Sequence, residues 1–107
     1  TELEQVFLNL ITNARDVFIE RGIEKREINV TSLTKDKYSV IFFEDNAGGI
    51  NEKDLEKIFD PYYTTKATGT GTGLYMVKLV VKSSFGGDLK VQNSKHGAKF
   101  IIVVKNR

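Results

Sequence analysis

The chain has 107 residues, of which 40% are apolar and 28% charged, with a formal charge of +2. These values describe one ordinary globular domain with enough chain to bury a single core, and they exclude a disordered segment. Cysteine is absent, which excludes disulfides and thiolate metal sites, and the small charge on scattered lysines argues against nucleic acid as a partner.

From Leu3 to about Arg21, apolar residues recur at helical spacing through Val6, Phe7, Leu10, Ala14, Val17 and Phe18, and Gly22 is the expected stop. Thr1 to Gln5 read as a helix already in progress rather than a signal peptide, so the chain is expected to begin in mid-protein. Two strands are predicted over Glu27–Leu33 and Tyr38–Glu44, joined by a polar turn. Asp45-Asn46-Ala47-Gly48-Gly49 is a loop by composition, and a short helix is expected over Glu52–Phe59 with Asn51 as its N-cap. Tyr62 to Gly73 is rich in Thr and Gly and has no periodicity. Helical spacing returns over Leu74–Ser84, Gly86-Gly87 breaks it, and Asp88–Gln92 with Lys99–Val104 close the chain as a hairpin. The expected class is α+β, a two-layer α/β sandwich whose mostly antiparallel sheet carries its helices on one face. No apolar run approaches the ~18 residues of a membrane span. The segment is therefore expected to be cytoplasmic, monomeric and free of membrane contact, whatever anchors a longer parent.

Asn9, Asn13 and Asp16 follow one another at spacings of four and three, which places them on one narrow stripe of the first helix beside its apolar face. Asparagine is a mediocre helix former, so two on one stripe need a reason. They either hydrogen-bond a neighbouring loop, or their neutral carbonyl oxygens help hold a hard cation already neutralised by phosphates, as Mg²⁺ usually is. Asp45 stands where a strand ends and small residues follow. That is either a simple tight turn or a fixed carboxylate beside backbone that a flat ligand can approach closely. An ionised aspartate only accepts hydrogen bonds, so it suits an exocyclic amine such as adenine's. Gly69-Thr70-Gly71-Thr72-Gly73-Leu74 opens a helix, where glycines admit a phosphate and the free amides favour its charge. It lacks the Gly-Lys-Ser/Thr of a P-loop. Phe59-Asp60-Pro61-Tyr62-Tyr63-Thr64-Thr65-Lys66 joins three aromatics to the only proline, which should end the preceding helix. The one histidine, His96, lies in a predicted turn without a carboxylate partner and reads as a solvated turn residue.

In this order the segments resemble the GHKL ATPase/kinase superfamily, and within it the sensor histidine kinases of the nitrogen-regulator type. Glu4 to Ala14 is similar to that family's N box, Asp45 to Ile50 to its G1 box, Phe59 to Lys66 to its F box and Gly69 to Leu74 to its G2 box. The resemblance runs from Leu3 to about Phe100, and four ordered motifs together are specific where each alone is weak.

The resemblance implies a Bergerat-type ATP-binding catalytic domain over residues 1–107, without the dimerisation domain that carries the phosphoacceptor histidine. By it, Asn13 would be the principal Mg²⁺ ligand with Asn9 assisting, and Asp16 would stand where many relatives carry a phosphate-contacting cation. Asp45 would accept the adenine amine, with Ala47, Gly49 and Ile50 around the base. Tyr62, Tyr63, Thr65 and Lys66 would belong to a lid over ATP, with Lys66 near the phosphates. Gly69, Thr70, Gly71, Thr72, Gly73 and Leu74 would wrap the phosphates. Asn9, Asn13 and Lys66 would then serve catalysis: phosphoryl transfer from ATP, leaving ADP, to a histidine of the parent's own dimerisation domain, and indirectly to a response-regulator receiver. Relatives that hydrolyse ATP carry a glutamate where this chain has Asn9, and an amide cannot take a proton from water at neutral pH. That favours a kinase. The same pocket also suits a Ser/Thr kinase of the anti-sigma-factor type, or a non-catalytic module that ATP gates for a partner.

Overall fold

A computed structural model describes residues 1–61 and 73–106. The chain runs α1 (Glu2–Glu20), β1 (Ile28–Thr34), β2 (Tyr38–Asp45), α2 (Glu52–Leu55), α3 (Gly73–Phe85), β3 (Asp88–Asn93) and β4 (Ala98–Lys105). The four strands form one sheet in the order β1-β2-β4-β3 with every neighbouring pair antiparallel. This is the expected α+β class.

Local chemistry explains where α1 starts and stops. The Thr1 hydroxyl accepts a hydrogen bond from the Glu4 N–H at 3.2 Å, and Glu2 and Glu4 place negative charge in the first turn, where the helix dipole favours it. At the other end Gly22 takes φ +65°, its N–H donates to the Ile19 carbonyl at 3.2 Å, and the Ile23 N–H donates to the Phe18 carbonyl at 2.9 Å. That pair of bonds is the Schellman arrangement, and Ile23 packs back against the cluster containing Phe18, as the motif requires. Between these ends the spacing of four carries Val6, Leu10, Ala14 and Phe18 into the interior.

The sheet alternates as a half-covered antiparallel sheet must. Phe43 of β2, Leu89 of β3, and Phe100 and Ile102 of β4 point to the helical layer and are fully buried, each contributing about 1.5–3 kcal/mol by burial. Val77 and Val81 of α3 meet them from above. On the opposite face the Lys99 ammonium lies 5.6 Å from the centre of the Phe42 ring. The turn into β3 is tight: Gly86 takes φ +61°, and a Cβ on Gly87 would run into the Val103 carbonyl.

One element differs from expectation. The helix predicted over Glu52–Phe59 is α-helical only to Leu55. Beyond it the Lys57 and Asp60 N–H groups donate three residues back, to Asp54 and Lys57, so the segment winds on as successive turns. Pro61 is the physical reason, since it disfavours helical geometry at Asp60 and leaves too little chain to propagate an α-helix. None of the described helices is long and apolar enough to cross a membrane.

Candidate functional site

The end of β2 carries Asp45, which is only 7% exposed. One carboxylate oxygen, Oδ1, accepts hydrogen bonds from the main-chain N–H groups of Ala47 at 2.9 Å and Ala98 at 3.3 Å. Among the described residues nothing occupies the second oxygen, so it remains for a ligand. Gly97 is obligatory beside it, because a Cβ there would come 2.6 Å from Oδ1. A buried charge held this way recognises a donor and rejects an acceptor.

The loop after Asp45 is shaped by two residues with positive φ, Gly48 at +99° and Gly49 at +85°. Asn46 turns away from the cleft and pins the α1–β1 connection, donating to the Lys25 carbonyl at 2.8 Å and accepting from the Glu27 N–H at 2.9 Å. Ala47 turns inward and is buried. Next to this loop opens a cleft with about 660 Å³ of empty space, its open mouth included. Its walls come from five elements and the loop: Asn13, Val17 and Arg21 from α1 and its C-cap, Asp45 from β2, Ala47, Gly49 and Ile50 from the loop, Asn51, Asp54 and Ile58 from α2 and the turns after it, Leu74 from α3, and Ala98 and Phe100 from β4. A cleft that sets Val17, Ala47, Ile50, Ile58 and Leu74 beside the buried carboxylate of Asp45 suits a flat heteroaromatic ring bearing an amine, and its polar walls, Asn13, Arg21, Asn51 and Asp54, suit the polar remainder of such a ligand.

The structure therefore brings Asn13, Asp45, Ala47, Gly49, Ile50 and Leu74 together around one cleft. Asn9 does not line it. Its Oδ1 accepts from the Gln5 side chain at 3.1 Å, one turn back along α1. Asp16 does not line it either, and its Oδ1 pairs with the Arg15 guanidinium at 3.3 Å. Gly73 opens α3. Tyr62, Tyr63, Thr65, Lys66, Gly69, Thr70, Gly71 and Thr72 lie outside the described residues. Phe59, which begins that stretch, is held against the core edge-on to Phe100 at 6.3 Å, with the Lys78 ammonium 4.8 Å from its ring centre.

Asn13 is half-buried, and its side chain carries no hydrogen bond to another described residue. A neutral amide oxygen free at the wall of an open cleft fits Mg²⁺, which takes few protein ligands and fills its octahedron with phosphate and water. The cleft also includes residues that the sequence did not single out for it. Val17 and Arg21 continue the stripe of Asn13 at intervals of four, a signal present in the periodicity. Asp54 and Ile58 carry no such signal.

The comparisons with known proteins agree with this architecture. The family described as histidine kinase-, DNA gyrase B- and HSP90-like ATPase matches residues 1–107. The two-component sensor PprA of Pseudomonas aeruginosa is 37% identical over 105 residues, covering 94% of this chain and 11% of that protein. The signal transduction histidine-protein kinase AtoS of Escherichia coli is 37% identical over 103 residues, covering 95% of this chain and 16% of that protein. A solved catalytic domain of the histidine kinase ThkA superposes with a TM-score of 0.83 at 31% identity, covering 98% of this chain and 67% of that one. The chain thus spans only a small part of the full-length sensors it matches. The family match, the sequence identity to these sensors and the shared fold show that the chain belongs to the histidine kinase-, DNA gyrase B- and HSP90-like ATPase family, on the branch of the sensor histidine kinase catalytic domains.

Proposed function

We propose that residues 1–107 are the catalytic domain of a longer two-component sensor, binding Mg-ATP in this cleft and donating its γ-phosphoryl group to a histidine on the parent's dimerisation domain. The observation that carries the reading is Asp45: a buried carboxylate in the wall of the cleft, with one oxygen fixed by two main-chain donors and the other left for an amine. The adenine 6-amine fits that oxygen, whereas guanine presents a carbonyl there.

Asn13 lines the same cleft as Asp45, and its amide oxygen would hold the metal, which when bound would neutralise phosphate charge as the phosphoryl group moves. The bond from the γ-phosphorus to its bridging oxygen breaks, a bond to an imidazole nitrogen forms, and ADP leaves. The Asn9 amide cannot accept a proton from water at neutral pH, so the site lacks a hydrolytic base at that position. The resemblance assigns Lys66 and the glycines at 69, 71 and 73 to the phosphates. A response regulator's receiver domain would then take the phosphoryl group from the histidine.

Titration calorimetry of the chain with ATP and with GTP tests the reading. ATP should bind with a Kd between about 1 μM and 1 mM, as for small open sites, and clearly tighter than GTP. Equal binding of the two nucleotides, or binding of neither, overturns it.

A further inference from the structure

The loop Ala47–Ile50 is held from two sides by side chains distant in sequence. Arg21, the C-cap of α1, donates from one guanidinium nitrogen to the carbonyls of Ala47 at 2.7 Å and Gly49 at 2.8 Å. From the other side Asn93, at the end of β3, accepts from the Ile50 N–H at 2.7 Å and donates to the Ile50 carbonyl at 2.7 Å. The Gly48 N–H is engaged as well, by the His96 carbonyl at 3.2 Å. Each residue of the loop is thus tied to another element.

The clamp leaves little room. A Cβ on Gly49 would come 2.8 Å from the Asn93 Oδ1, and one on Gly48 would come 3.1 Å from the Arg21 nitrogen. Two consecutive glycines at positive φ are soft joints, because the same freedom that lets them reach this shape lets them leave it. Without the clamp the loop would sample many conformations, and a nucleotide would have to select one. Arg21 also lines the cleft itself, beside Asp45 and Val17, so its hold acts where the base would lie.

We propose that Arg21 is a positioning residue for purine recognition. By gripping the Ala47 and Gly49 carbonyls against the Asn93 clamp, it fixes the loop so that the free oxygen of Asp45 meets the amine of a 6-aminopurine nucleotide. This rests on the ATP-binding reading above. Arg21 touches the loop rather than the transferred phosphoryl group, so its loss weakens binding and selectivity without altering the chemistry at the phosphorus.

The test compares ATP with purine riboside 5′-triphosphate, which lacks only the 6-amine, by calorimetry on the 107-residue chain and its variants. The ratio of the two dissociation constants isolates the contact with Asp45. For the parent the ratio should be about tenfold or more, as for one buried hydrogen bond to a charged group. Arg21→Met keeps the apolar stem and removes the donors. It should weaken ATP about tenfold and bring the ratio to within about threefold of one, since lost preorganisation falls mainly on the oriented contact. Arg21→Lys can reach one of the two carbonyls and should recover part of the ratio. It also carries the comparison if Arg21→Met does not fold.

A variant that binds both nucleotides as the parent does overturns the proposal. So does one that weakens both by the same factor with the ratio intact, because that marks general destabilisation only. A parent that binds neither nucleotide defeats the ATP reading itself, and the proposal falls with it.

Discussion

On the proposed reading Asp45 would carry the recognition of the base, and the asymmetry of its two oxygens makes a sharp prediction. In Asp45→Asn the amide has one oxygen and one nitrogen, and the N–H groups of Ala47 and Ala98 both require an acceptor. The amide oxygen will therefore take the inner position, which turns the NH₂ toward the ligand. A donor then faces the adenine amine. ATP affinity should fall by about 1–3 kcal/mol, or roughly five- to 150-fold, while GTP, with a carbonyl at the same place, loses little or gains. Calorimetry with both nucleotides reads this directly, and an unchanged ATP preference would show that Asp45 does not meet the base. Asp45 was legible in the sequence because a carboxylate at a strand end before small residues is a local pattern. Arg21 and Asn93 were not. Their bonds to the loop span 26 and 43 residues, and no periodicity or turn chemistry encodes a contact of that range.

At the scale of elements, the boundaries that local chemistry controls were readable to within a residue or two. Gly22 marked the end of α1, Gly86-Gly87 the end of α3, and alternation gave the four strands. The overlong α2 shows the limit: Ile58 and Phe59 extend the apolar pattern because they pack on the core, not because the backbone remains helical. Two glycine substitutions should separate conformational from steric constraint. A Cβ on Gly22 meets nothing within 4 Å, so Gly22→Ala pays only for a left-handed alanine. The loss is about 1–2 kcal/mol, seen as a urea midpoint lower by roughly 1 M with an unchanged slope. Gly87→Ala should be at least twice as damaging, because its methyl would meet the Val103 carbonyl of β4. Equal losses at the two positions would contradict the close approach of β3 and β4 at that turn.

Across the whole molecule the cleft is assembled from both ends of the chain: Asn13 and Arg21 come from the first helix, Leu74 from the third, Ala98 and Phe100 from the last strand. A ligand bound there holds the helical layer to the sheet, so binding should register as global stability rather than as local ordering. At a hundredfold excess over Kd, ligand linkage is worth about 2.7 kcal/mol. For a domain of this size that corresponds to a rise in Tm of roughly 10–20 °C. The rise with ATP should be larger in Mg²⁺ than in EDTA, because on the proposed reading the metal would join the phosphates to Asn13. In Asn13→Ala the metal-dependent increment should vanish, while ADP without metal still raises Tm through the contact with Asp45. Asn13→Asp should not restore the increment, since a carboxylate there adds repulsion against the triphosphate and against Asp16 one turn along the same stripe. Both variants should transfer phosphate to a supplied histidine-bearing domain at least ~100-fold more slowly, the scale expected when charge neutralisation fails. The parent chain alone should label no histidine. His96, the only one, is exposed in the β3–β4 turn, where it offers its carbonyl to Gly48. If Asn13→Ala keeps the metal-dependent rise in Tm and transfers phosphate at the parent rate, Asn13 is not the metal ligand. Its place on the cleft wall would then be structural.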